Sequence, residues 1–176
     1  MRFNPTTIKG CWLIEPMLHG DDRGSFMETY REDLFNQTID PTHFIQDNEA
    51  TSSYGIIRGM HFQKGDHAQA KLIRVVKGVI LDVVIDLREH SPTYRQKVEV
   101  ELSENNKKQL FIPKGCAHGY AVLSPSATVI YKVDAPYHPE AESGLSPLDP
   151  ALSIDWPIDK TQQLINTRDL NWPPMQ

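Results

Sequence analysis

The chain has 176 residues and a formal net charge of −5, with 39% hydrophobic and 23% charged residues. That length supports one domain, residues 1–176, with a sizeable core, and the composition excludes fibrous and low-complexity classes. The acidic balance counts against nucleic acid as a partner, and no window approaches the roughly 18 apolar residues of a membrane span. The N-terminal stretch MRFNPTTIKGCWLIEP lacks the apolar core of a secretion signal. The expectation is therefore a cytoplasmic protein with no membrane partner, in which Cys11 and Cys116 stay reduced and packed.

In chain order, the first strand signal is CWLIEP (11–16), followed by GSFMETY (24–30). YREDLFNQ (30–37) is the one stretch that reads as a helix. Strand signals then resume with HFIQDN (43–48), GIIRGMHFQ (55–63), AKLIRVVKG (70–78), VILDVVIDLR (79–88) and KVEVELS (97–103). KQLFIPKG (108–115), HGYAVLS (118–124) and TVIYKVD (128–134) complete the series. Each is short, rich in β-branched and aromatic residues, and bounded by Gly, Pro, Asn or Asp. In KVEVELS, Val98, Val100 and Leu102 alternate with Glu99 and Glu101, the pattern of a half-buried antiparallel strand. VILDVVIDLR is apolar on both faces except for Asp82 and Asp86, as in a central strand; the two carboxylates are expected to bond backbone within the sheet, the alternative being that one of them stands behind the site. Many short strands predict an all-β sandwich or barrel, with a jelly roll as one form, carrying only short peripheral helices. From about Pro139 the chain is loop-rich, and its two tryptophans predict that this tail packs back on the domain.

The stretch IIRGMHFQKGDHAQAKLIRVVKG (56–78) sets Arg58, His61, His67, Lys71 and Arg74 among strand-forming residues. Buried charge is costly unless it is paired or used. A metal site is the first candidate. Metal-binding cupin jelly rolls carry two motifs, and PKGCAHGYAV matches the second at Pro113, Gly115 and His118, with Val122 in place of Asn. In the first motif His67 fits one ligand, Gly65 replaces another, and Lys71 occupies the carboxylate position. A protonated lysine offers no lone pair and places a cation where a metal would sit, so no metal is expected. An acid–base site uses more of these residues. His61 and His118 are candidate bases, Lys71 an oxyanion partner, Arg58 and Arg23 anion holders, and Tyr131 a general acid.

With these residues in place, the sequence resembles the dTDP-4-dehydrorhamnose 3,5-epimerase family nearly end to end. The resemblance runs from EPMLHGDDRGSFMETY through FIQDNEATSSYGIIRGMHFQ and AQAKLIRVVKGVILDVVIDLREHSPTY. It continues through ELSENNKKQLFIPKGCAHGYAVLS and VIYKVDAPYHPEAE to IDWP and NTRD. RG-x-H-[FY]-Q, QxKL and P-x-G-x-AHG in combination make it specific. It implies a cupin-type jelly roll that inverts both carbons flanking the ketone of a dTDP-4-keto-6-deoxyhexose, without metal or cofactor. It also implies a homodimer with shared active sites.

Residue by residue, the resemblance assigns His61 as base, Asp169 as its carboxylate support, Lys71 as enolate stabiliser and Tyr131 as the acid on the opposite face. For binding it implies His118 beside the sugar and Arg23 with Glu28 from across a dimer interface. A turn holding Gln46, Asp47 and Asn48 would contact base and substrate. Arg58 and Arg168 would lie at the diphosphate, Tyr137 on the thymine, and Glu142 nearby. Two stretches of the tail, taken to surround the sugar nucleotide, depart from the family pattern. GLSPLDP lacks the usual Trp and Asn, and Asn166 stands where serine is usual. Inversion at one carbon alone is the main alternative, with a metal-dependent cupin or a non-catalytic sugar-nucleotide-binding protein further off. Trp156 is expected to pack rather than touch ligand. His19, His43, His90 and His138 are expected to be solvated, and His67, at the pocket rim, and Arg74 carry no role.

Overall fold

The computed structural model describes residues 1–175. Its strands, in chain order, are β1 (Arg2–Pro5), β2 (Trp12–Glu15), β3 (Leu18–Asp21), β4 (Gly24–Met27), β5 (Gln46–Ser53), β6 (Ile56–Gln63) and β7 (Lys71–Lys77). They continue as β8 (Val79–Asp86), β9 (Lys97–Ser103), β10 (Gln109–Ile112), β11 (Cys116–Val122), β12 (Ser126–Val133), β13 (Glu142–Gly144) and β14 (Leu164–Ile165). Two short α-helices, α1 (Glu32–Thr38) and α2 (Thr167–Leu170), lie at the periphery.

One sheet has the order β1-β2-β10-β7-β12-β5 and the other β13-β6-β11-β8-β9, with β14 added alongside β6. Apart from β1–β2 and β8–β9, neighbours in a sheet are not consecutive in sequence, so the chain crosses repeatedly between sheets, as a cupin-type jelly roll requires. Ile73, Val75, Leu110 and Val129 of the first sheet interdigitate with Ile80, Val84, Leu102 and Val122 of the second. Each such side chain contributes roughly 1.5–3 kcal/mol by leaving water. The outer faces are covered as well. Phe35 and Ile39 lie over Ile14, Leu72 and Phe111 on one side. Leu145, Leu152, Trp156 and Ile158 of the tail lie over Ile57, Met60, Val83 and Ala121 on the other. Cover on both faces is why β8 reads as a continuous apolar run.

Trp156 packs as expected: it is buried, and its Nε1 donates to Pro147 O at 2.9 Å. The ring of Trp172 lies against Gly144, where a Cβ would meet it at 2.6 Å. GLSPLDP belongs mainly to this outer layer rather than to the surroundings of a sugar nucleotide. Leu145 exchanges backbone hydrogen bonds with Met60, and Asp149 accepts from Ala151 N and Met175 N. Cys11 and Cys116 are free and buried, and burial pushes both thiols up to about 12.

Several boundaries moved. The strand expected over 43–48 starts at Gln46 and runs to Ser53, because register with β12 from Val133 to Ser126 holds the polar EATSS in extended form. Cross-strand pairing overrides weak intrinsic preference here. Gln46, Asp47 and Asn48 are thus strand residues and not a turn. Strand β4 ends at Met27, paired only with β3 in an exposed hairpin. Strands β1, β3, β13 and β14 and helix α2 were not foreseen; each is only two to four residues long and lies at an edge or in the tail. Among the described residues the Asp82 carboxylate bonds no backbone group of the sheet, and the one backbone bond to the Asp86 carboxylate comes from Arg88 N, just beyond β8, at 3.0 Å. Asp86 accepts from Arg88, Ser91 and Thr93, which hold it at about 2 against the upward push of burial. Asp82 belongs to the site.

Candidate active site

A cavity of about 340 Å³ opens between the sheets. Lys71 and Ile73 of β7, Val129 and Tyr131 of β12 and Ala50 of β5 form one wall. Arg58 and His61 of β6 with His118 and Tyr120 of β11 form the other, and Tyr137, Glu142 and Arg168 stand at the rim. Alternation explains most of the set, since Lys71 and Ile73, Val129 and Tyr131, and His118 and Tyr120 are two apart and share the inward face. Arg58 and His61 are three apart, and both reach it because the β6–β11 register shifts between them.

His61 and His118 are direct neighbours in the β6–β11 register. Two glycines permit the strands to meet there. A Cβ on Gly119 would lie 2.6 Å from Met60 Sδ and 2.7 Å from Arg58 O, and one on Gly59 would lie 2.5 Å from Gly119 Cα. Gly59 also has φ +137°, which side-chain-bearing residues rarely adopt.

Each histidine is held by a buried carboxylate. His61 Nε2 lies 2.8 Å from Asp169 Oδ1, while Gly59 N donates to Asp169 Oδ2 at 3.3 Å. Asn166 caps α2 by accepting from Arg168 N, which fixes the short helix that presents Asp169. Asparagine therefore serves where serine was expected. His118 Nε2 lies 3.0 and 3.1 Å from the two oxygens of Asp82. Burial lowers the pKa of His61, while Asp169 raises it and Lys71 and Arg168 lower it. The imidazole is therefore neutral near pH 7 and free to accept a proton. Burial brings Lys71 down to about 8 against the upward pull of Asp82 and Glu142, so it is charged at neutral pH. Burial raises Tyr131, with Arg58 opposing, so its phenol keeps its proton.

At the rim Tyr137 Oη donates to Glu142 Oε2 at 2.6 Å, and Arg168 Nη1 donates to the same oxygen at 3.0 Å. Gln63 ties the neighbouring loops together. Its Nε2 donates to His67 O and Pro136 O, and its Oε1 accepts from His138 N. His67 is exposed, does not line the cavity and stacks on His138 with centroids 3.8 Å apart.

The other residues singled out lie elsewhere. Gln46 and Asn48 pair across β5–β12 with Val133 and Tyr131 and so share the cavity-side face without lining the cavity. Asp47 faces the opposite way, 2.8 Å from Lys132, in a separate recess that also holds Arg74. Arg23 pairs with Asp21 on the exposed hairpin, and Glu28 lies 3.7 Å from Arg31. Neither lines the cavity of its own chain. Sequence reasoning passed over Tyr120, Phe62, Gln63, Gln69, Ile73, Val129 and Ala50 as lining residues; it allowed that Asp82 or Asp86 could stand behind the site, and the structure makes Asp82 the partner of His118. Tyr120 was open to detection, because it follows His118 by two residues on one strand.

No group of three His, Cys, Asp or Glu residues with metal-holding geometry occurs among the described residues. Nor is any described helix long and apolar enough to cross a membrane. A carboxylate-backed histidine, a buried ammonium and a protonated phenol around one cavity define an acid–base enzyme on a jelly-roll scaffold.

A family model described as dTDP-4-dehydrorhamnose 3,5-epimerase matches residues 5–176. The chain is 44% identical over 176 residues to the dTDP-4-dehydrorhamnose 3,5-epimerase of Methanothermobacter thermautotrophicus, covering 99% of this chain and 95% of that protein. The crystal structure of dTDP-4-dehydrorhamnose 3,5-epimerase from Elizabethkingia anophelis superposes with a TM-score of 0.96 at 43% identity, covering 99% of this chain and 96% of that one. A dTDP-6-deoxy-D-glucose-3,5-epimerase from Legionella pneumophila, solved in complex with dTDP-4-keto-L-rhamnose, gives 0.90 at 39% identity, covering 99% and 98%. The chain belongs to the dTDP-4-dehydrorhamnose 3,5-epimerase family, and its members are isomerases.

Proposed function

We propose that this chain inverts C3 and C5 of a dTDP-4-keto-6-deoxyhexose through enolate intermediates, without a cofactor, in the formation of dTDP-L-rhamnose or a related deoxysugar. One observation carries the reading: His61 with its Asp169 support and Tyr131 reach the same cavity from opposite sheets, with Lys71 beside them. Inversion at carbon needs a base on one side of the ring and an acid on the other.

The steps follow from these groups. With the Nε2 proton of His61 directed at Asp169, its Nδ1 keeps a lone pair and removes the proton alpha to the ketone. The C–H electron pair moves into the enolate, whose oxygen meets the Lys71 ammonium in a site with little water. Tyr131 then delivers its phenolic proton to the opposite face of the carbon. The imidazolium and the phenolate return to their starting forms by exchange with solvent, and the cycle repeats at the second carbon.

In this reading His118 lies beside the sugar, Arg58 and Arg168 hold the diphosphate, and Tyr137 and Glu142 border the nucleoside. Gln46 and Asn48 face the substrate from β5, whereas Asp47, turned to the far side of the sheet, stays outside the set. Arg23 and Glu28 complete the site of a second copy in a homodimer. The projecting hairpin region supports this, since Phe26 is 71% exposed and Met17 62%. Apolar side chains so placed are suited to a protein surface. Residues 1–176 are taken as one domain working in the cytoplasm, in keeping with two free, buried cysteines.

The test is incubation with dTDP-4-keto-6-deoxyglucose in D₂O followed by NMR. Deuterium at both C3 and C5 is expected. Deuterium at one carbon only makes the enzyme a mono-epimerase, and none at either overturns the reading. His61→Ala is expected to abolish exchange at both carbons.

A further inference from the structure

Tyr120 is 6% exposed, and its hydroxyl is buried with no hydrogen-bond partner among the described residues. The other polar groups of that wall are engaged: His61 by Asp169, His118 by Asp82, and Arg58 Nε by Ser52 Oγ at 3.1 Å. Ser52 is close enough to Tyr120 to affect its titration without completing a hydrogen bond of acceptable geometry. The tyrosine ring packs in the central core with Ile80 and Val122, yet it also borders the cavity. Its hydroxyl therefore lies where core and cavity meet, on the strand pair where Tyr120 faces Arg58 in register. Burial raises the phenol's pKa, so at neutral pH the group is a proton donor. A buried donor that finds no acceptor in the protein is costly, and such a group in a binding cavity marks the place of a ligand acceptor.

We propose that Tyr120 is a sugar-binding residue whose O–H donates to an oxygen of the hexose, and that it helps to seat the ring before His61 and Tyr131. The proposal rests on the epimerase reading for the identity of the ligand. Its location decides between the two ends of that ligand. On the inward face of β11 Tyr120 follows His118, the residue placed beside the sugar, with ring centroids 6.3 Å apart, and it borders the same cavity as Tyr131, while its cross-strand neighbour Arg58 marks where the diphosphate begins. Contact with a sugar oxygen also makes Tyr120 a specificity determinant, because a hexose without that oxygen would leave the donor unpaired again.

Tyr120→Phe removes one oxygen and leaves the ring, so the fold is expected to persist. Calorimetric titration with two ligands that do not turn over, dTDP and dTDP-6-deoxyglucose, tests the contact independently of catalysis. The variant is expected to bind dTDP within about 2-fold of wild type and dTDP-6-deoxyglucose about 10-fold more weakly, one charge-free hydrogen bond to an otherwise unpaired donor. Thermal unfolding of the ligand-free variant is expected to match or exceed wild type, because the lost hydroxyl had no partner. Equal loss of affinity for both ligands, or none for either, overturns the proposal. So does a lower unfolding temperature without ligand, which would show that the hydroxyl serves the fold through Ser52. If wild type binds both ligands but exchanges no deuterium in D₂O, the epimerase reading fails while the binding test of Tyr120 still stands.

Discussion

Replacing Lys71 with methionine is expected to make the protein more stable and the enzyme inactive. The ammonium is half-buried in the cavity, and its pKa falls from 10.5 to about 8, mainly by burial. Each unit of such a shift corresponds to about 1.4 kcal/mol, so holding the charge at pH 7 costs the fold roughly 3 kcal/mol before cavity water screens part of it. Methionine fills similar space without charge. The carboxylates that face Lys71 keep other partners, Asp82 with His118 and Glu142 with Arg168 and Tyr137, so none is orphaned. The expected gain is about 1–3 kcal/mol, or roughly 3–10 °C in unfolding temperature for a chain of this size. The sign with pH is specific. Between about 8 and 10.5 the unfolded chain holds the lysine proton and the native protein does not, so wild-type stability rises with pH. The advantage of the variant is thus greatest below about pH 8 and shrinks toward pH 10.5. Urea unfolding of both proteins at pH 7 and pH 10 measures it. A variant that is less stable at pH 7, or whose advantage is the same at both values, refutes the reasoning.

The same groups shape catalysis. The pH profile of kcat/KM is expected to be bell-shaped, with an acid limb below the ordinary imidazole value near 6.5 as His61 takes up its proton. The alkaline limb is expected near pH 8 as Lys71 loses its proton, and a flat profile through pH 9 would remove Lys71 from the oxyanion role. Asp169→Asn leaves the geometry in place but loses the carboxylate behind His61, so kcat should fall by roughly 10²–10⁴-fold with little change in KM. Tyr131→Phe should retain deuterium exchange at C3 while inversion slows, and NMR in D₂O distinguishes the two. Gly119→Ala forces β6 and β11 apart at Met60 and Arg58, and should cost roughly 1–3 kcal/mol of stability together with most of the activity, because His61 and His118 lie in that register.

How far the site was legible depended on strand geometry. RGMH, QAKL and AHGY each put their chemical residues on predictable strands, and His61, Lys71, His118 and Tyr131 do line one cavity. Asp169 was assigned by resemblance alone, since more than a hundred residues separate it from His61 and only α2 brings it within 2.8 Å. Asp47 shows the limit. Strand or turn, its letters are the same, but in a strand alternation turns Asp47 away from its neighbours Gln46 and Asn48. The polar run EATSS carries no strand signal of its own and becomes strand through its partner β12.

By itself the sequence determined the all-β class, most of the strands and the chemical kinds of the reacting groups, because alternation, turn residues and motif spacing are local properties. It determined too that a lysine holds the position a metal-binding carboxylate would take. Tertiary structure alone decided which carboxylate backs which histidine, that Asp82 serves His118, that the tail covers the outer sheet with Leu145, Leu152, Trp156 and Ile158 while Glu142 and Arg168 turn to the cavity, and that the hydroxyl of Tyr120 is left unpaired beside that cavity. Those outcomes depend on which distant strands become neighbours and on where each buried polar group finds a partner. Neither is written in any short window of residues.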